Sequence, residues 1–66
     1  MLEVKPNYSY KYKKTGNTYL VLGLSQVKCM YSGVWQPAVI YYAIEDRSKT
    51  YIRTENDFIN NFEEID

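Results

Sequence analysis

The stretch Pro37–Ile44, PAVIYYAI, runs for seven residues past its proline without a charge, and both of its alternating faces are apolar. A strand of that kind needs cover on each side, and cover is scarce in a chain of 66 residues. A domain of this size buries only about 60% of the surface its unfolded chain exposes. The usual reinforcements of small domains are missing, since Cys29 is the single cysteine and there is no histidine to build a zinc site. Self-association is the reinforcement that remains. The expectation is that one domain over residues 1–66 shields the second face of 38–44 partly with its own C-terminal helix and partly with another copy of the chain, a homo-oligomer.

The rest of the chain reads as short strands with polar turns. In YSYKY, Tyr8, Tyr10 and Tyr12 alternate with Ser9 and Lys11, and KKTGN then turns the chain back. TYLVLGLS places Leu20, Leu22 and Leu24 on one face and Tyr19, Val21 and Gly23 on the other, with Gly23 marking a bend or bulge. Ser32-Gly33 signals a second hairpin or protruding loop between Val27 and Trp35, Pro37 suits a strand start, and EDRSK precedes a short strand, TYIRT. Thr54 followed by Asp57 resembles a helix start, with Phe58, Phe62 and Ile65 at i, i+4 and i+7 beside Ile59. These elements describe a mainly β domain, a small antiparallel SH3-like barrel of about five strands with one short C-terminal helix. Leu20, Leu22, Leu24 and Ile52 are expected to fill it. Tyr19, Val21, Val39 and Tyr41 would then face outward as the interface.

The segment Lys14–Gly23, then Val39-Ile40-Tyr41, Tyr51-Ile52-Arg53-Thr54 and Phe58 follow one another in the order and rough spacing of a known pattern. In these motifs the chain resembles the small bacterial and phage proteins of the domain-of-unknown-function family 1653 over about residues 10–62. It departs from them where Tyr51 replaces Trp, Thr54 replaces Pro, Tyr12 stands in place of a frequent His, and CMYSGVWQ adds loop. The resemblance implies a compact SH3-like barrel of bacterial or phage origin and singles out Arg53; it brings no activity with it.

Composition narrows the chemistry. With no histidine, acid–base work would fall to Glu45, Asp46, Glu55, Asp57, Glu63, Glu64 and Asp66, all in expected turns or on the helix. Cys29 has only Lys28 beside it as an activator, and Gly16, Gly23 and Gly33 are isolated and make no phosphate loop. The chain is read as no enzyme, without cofactor or metal. Its net charge is zero, although residues 1–36 carry five Lys against one Glu and residues 37–66 three basic against seven acidic groups. That balance argues against nucleic acid, with Lys5, Lys11, Lys13 and Lys14 as a local patch only. The N-terminus has no apolar signal core and no stretch is long enough to span a membrane, which points to the cytoplasm.

Aromatic and guanidinium groups are the chemistry left. Eleven aromatics, eight of them Tyr, stand beside Arg47 and Arg53, and Tyr, Trp and Arg are the residue types that dominate binding hot spots. Tyr31, Trp35, Arg47, Tyr51 and Arg53 are therefore the expected ligand-binding set. The function they suggest is a binding protein that sequesters a small anionic, nucleotide-like ligand or blocks a host defence protein. The alternative is a monomeric SH3-like module that binds a protein partner or, less readily, nucleic acid.

Overall fold

The computed structural model describes residues 3–65. Five strands, β1 (Ser9–Tyr12), β2 (Thr18–Lys28), β3 (Trp35–Ala43), β4 (Asp46–Thr54) and β5 (Phe62–Glu64), form one antiparallel sheet, with a helix α1 (Glu55–Asn61) between the last two. The strand order is β4-β3-β2-β1-β5, the meander expected of a small SH3-like barrel, and the sheet stays open because β4 and β5 share no ladder. Turn chemistry closes the first two hairpins. Gly16 takes φ 79°, a left-handed value that glycine adopts without steric cost, and its N–H donates to the Tyr12 carbonyl at 2.7 Å. At the second hairpin Gly33 does the same at φ 71° and donates to the Cys29 carbonyl.

The two faces of the sheet are the reverse of the expected ones. Residues paired across a ladder share a face, and the pairs Val21 with Tyr41, Tyr41 with Tyr51, and Tyr10 with Tyr19 lie on the inner one. The core is Val4, Tyr10, Val21, Val39, Tyr41, Phe58 and Phe62. Leu20 pairs instead with Tyr42, and Ile52 with Ile40, on the outer face. Leu22 and Ile52 are exposed there. When both faces of a strand are apolar, alternation does not say which one turns inward, and a one-residue choice flips the whole set. The aromatic face wins because Phe58 and Phe62 arrive from α1 and β5 to pack against it: Phe58 meets the rings of Tyr10 and Tyr41 edge-on and stacks on Phe62 at 4.0 Å.

A register shift between Val21 and Gly23 confirms the bulge at Gly23 and adds a second correction. The extra residue changes the phase of β2, so Leu24 pairs with Val39 on the inner face while Leu20 stays on the outer one. The three leucines therefore share no common face.

The helix starts where expected: the Thr54 hydroxyl accepts the Asp57 N–H, and Glu55 and Asp57 lie in the first turn, where carboxylates favour the helix dipole. It ends earlier than the apolar spacing suggested, after seven residues. Phe62 turns extended, and β5 pairs Tyr12 with Phe62 and Lys11 with Glu63, the latter through a 3.1 Å ion pair. Phe62 and Ile65 are thus not part of the helix stripe. The ladder with β1 captures the chain, and α1 becomes a crossover between β4 and β5 rather than a terminal element.

Candidate functional site

The inner face closes at one end in a depression lined by Tyr12, Tyr19, Tyr41, Tyr51, Arg53 and Phe62, with a volume of about 180 Å³. All five strands bring these side chains together. Tyr12 ends β1, Tyr19 opens β2, Tyr41 and Tyr51 are direct partners on β3 and β4, and Phe62 opens β5. Tyr19 is the hub, meeting the rings of Tyr12, Tyr41, Tyr51 and Phe62 edge-on with centroids 5.5–6.5 Å away. That arrangement places partly positive ring edges against ring faces.

Arg53 is fixed into this wall. Its Nε donates to the Tyr41 hydroxyl at 2.8 Å and its Nη1 to the Asp57 carboxylate at 2.6 Å. Its Cζ lies 5.5 Å from the centre of the Tyr12 ring and 5.7 Å from that of Phe62, within cation–π range. The bond to Asp57 raises the guanidinium's already high pKa further, and burial pushes the Tyr41 phenol above its ordinary value against the opposing pull of Arg53. Two of the five guanidinium N–H donors are named in these bonds, and 30% of the side chain remains exposed. A charged, positioned donor beside flat aromatic faces can hold a planar acidic group.

Of the expected ligand-binding set, Tyr51 and Arg53 come together here. Tyr31 lies at the tip of the β2–β3 hairpin with 98% of its surface exposed, and Trp35 opens β3 on the same hairpin. Arg47 sits at the start of β4, 5.7 Å over the ring of Tyr42 on the outer face. Those three are not part of the depression. The expected interface set is corrected as well: Val21 and Val39 are fully buried and Tyr41 nearly so, which leaves them no surface to offer a partner, and Tyr19 is half-buried within the site. Sequence reasoning missed Tyr12 and Phe62 as site residues and assigned Tyr19 and Tyr41 to the interface instead. The alternation of Tyr10 with Tyr12 was a usable signal for the first, whereas Phe62 needed knowledge of β5.

Three of the four N-terminal lysines have contacts within the chain. Lys11 pairs with Glu63, Lys13 donates to the Asn60 carbonyl, and Lys5 lies over the Tyr8 ring. Cys29, half-buried in the hairpin, has its pKa lowered by hydrogen bonds from Ser32 and then Tyr31. Among the described residues no group of three or more His, Cys, Asp or Glu is placed to hold a metal ion, and no helix is long and apolar enough to cross a membrane.

No protein-family model, curated protein or solved structure matches the chain.

Proposed function

We propose that the protein is a non-enzymatic binding domain that seats a planar, negatively charged group against Arg53 on the wall formed by Tyr12, Tyr19, Tyr51 and Phe62. The observation that carries this reading is the held guanidinium, positioned by Tyr41 and Asp57 and still open to solvent on one side. Charge-assisted hydrogen bonds from a fixed guanidinium are roughly twice as strong as neutral ones and favour planar acceptors. Volume limits the ligand. At about 180 Å³ the depression is smaller than the roughly 300–1,000 Å³ of pockets that enclose whole small molecules, so it takes one moiety of a nucleotide-like ligand, a base or an acidic group, and leaves the remainder outside. With a bacterial or phage background, as the motifs suggest, the ligand would be a signalling nucleotide of the host cell.

A second reading is favoured by β4, a nine-residue strand at the open edge of the sheet beside the depression. An extended segment of a protein partner, such as a host defence protein, can add to such an edge while one acidic side chain enters the site. Isothermal titration against a nucleotide panel and against acidic peptides separates the two. The first reading expects heats from nucleotides that fall at least about tenfold in affinity on Arg53→Lys, which keeps the charge and loses the planar fork. Absent heats from every nucleotide would remove it, and a response to peptides alone would favour the edge.

A further inference from the structure

Beyond Leu24 and Ala38, β2 and β3 continue as a two-stranded ribbon. Gln26 pairs with Pro37, Val27 with Gln36 and Lys28 with Trp35, and among the described residues no third strand reaches them, because β4 joins β3 only from Ala38 onward and the β1 ladder with β2 ends at Leu20. A lone two-stranded ribbon is marginally stable in water. This one displays Leu24, Val27, Met30, Tyr31, Val34 and Trp35 to solvent, and between Leu24 and Ala38 its single charged residue is Lys28.

The whole molecule is more extended than a compact chain of its size. Its accessible surface is 4918 Å², whereas a folded monomer of its mass exposes about 4,400 Å². Its radius of gyration is 11.9 Å, against about 10.8 Å for a compact chain of this length. Roughly 500 Å² of surface is thus in excess of what a monomer of this size shows.

A second uncovered surface lies on the outer face of the sheet, where Leu22 and Ile52 are exposed beside the half-buried Leu20 and Ile40. Among the described residues every Leu and Ile is exposed or half-buried, and the aliphatic part of the core is supplied by Val4, Val21 and Val39 with Ile59 beside them. We propose that the occupant of both surfaces is a second copy of the chain, each ribbon laid across the other protomer's Leu22–Ile40–Ile52 face about a two-fold axis. The symmetry makes the contact self-complementary, ribbon to face and face to ribbon. The ribbon brings only Lys28 as a charge, and on the receiving face Arg47 is already seated over the Tyr42 ring and Lys11 is paired with Glu63, so the apolar patch Leu22–Ile40–Ile52 can take the ribbon with few charges to bury. Area agrees: aromatic residues such as Tyr31 and Trp35 bury on the order of 150–250 Å² each, and with Met30, Val34 and the sheet face they bring each protomer near the ~800 Å² of a standard interface. This contact is independent of the ligand assigned to Arg53.

The test is light scattering of the full chain from about 1 to about 200 µM, since dimer population follows concentration. The expected mass at the upper end is twice the 7.8 kDa of one chain. Trp35→Ser and Tyr31→Ser should each weaken the dimer at least about tenfold, as aromatic anchors do, and Ile52→Thr, on the opposite surface, should weaken it too. Circular dichroism checks that each exposed-site variant stays folded. A monomer throughout the range would overturn the proposal, including the case in which the ribbon binds lipid vesicles instead. A dimer indifferent to the ribbon variants, or weakened by them and not by Ile52→Thr, would overturn the reciprocal seating.

Discussion

The same two strands, β2 and β3, build the best-covered and the least-covered parts of the molecule. At one end Val21, Val39 and Tyr41 are sealed by β1, β4, β5 and α1; at the other, Leu24 and Trp35 lie on the continuation of that inner face and are 47% and 59% exposed. The side-chain alternation is similar in both. What differs is whether other elements cover the two strands, so burial here is decided by what arrives from elsewhere in the chain, above all Phe58 and Phe62.

If that is the correct account of the contrast, substitutions at the two ends should separate widely. Phe58→Ala removes a fully buried ring that touches Tyr10, Tyr41 and Phe62 and should cost about 3–5 kcal/mol. A chain of this length has only about 3–10 kcal/mol in total, so the variant is expected to be largely unfolded in a urea titration. Tyr10→Phe keeps the ring and loses a hydroxyl that accepts from the Lys5 N–H and donates to the Glu3 carbonyl; about 1–2 kcal/mol should go with it, read as a lower urea midpoint at unchanged slope. A still smaller change is expected from pH. Burial raises the folded pKa of Tyr41 above its ordinary value, so its contribution is fully present below about pH 10 and is lost as pH rises through the folded value. Tyr41→Phe should flatten that alkaline decline in melting temperature. Trp35→Ser, at a dilution where the chain is monomeric, should alter stability by no more than about 0.5 kcal/mol. A large loss there would mean that the ribbon is covered within one protomer.

Much of the local architecture was legible in the residues. Gly16 and Gly33 located the two tight turns, Gly23 the bulge, and Thr54 with Asp57 the helix start, because each depends on neighbours a few positions away. The orientation of the sheet was not legible, since Leu20 and Tyr19 are equally apolar claims on the interior and only the later arrival of Phe58 and Phe62 decides between them. For the same reason the helix was drawn too long: Phe62 fits a helical stripe by spacing, and its pairing with Tyr12 is a contact across fifty positions. At the site, Tyr51 and Arg53 were legible as residue types that dominate binding hot spots, whereas Tyr12, Tyr19, Tyr41 and Phe62 join them only through the strand order.

Amide hydrogen exchange on the dilute monomer tests the contrast most directly. The amides of Val21, Val39 and Tyr41 should exchange only through global opening, orders of magnitude more slowly than those of Val27, Lys28 and Trp35, whose ribbon opens locally. Equal protection along the full length of β2 and β3 would contradict the account, because it would show that the ribbon is held as firmly as the core without any partner.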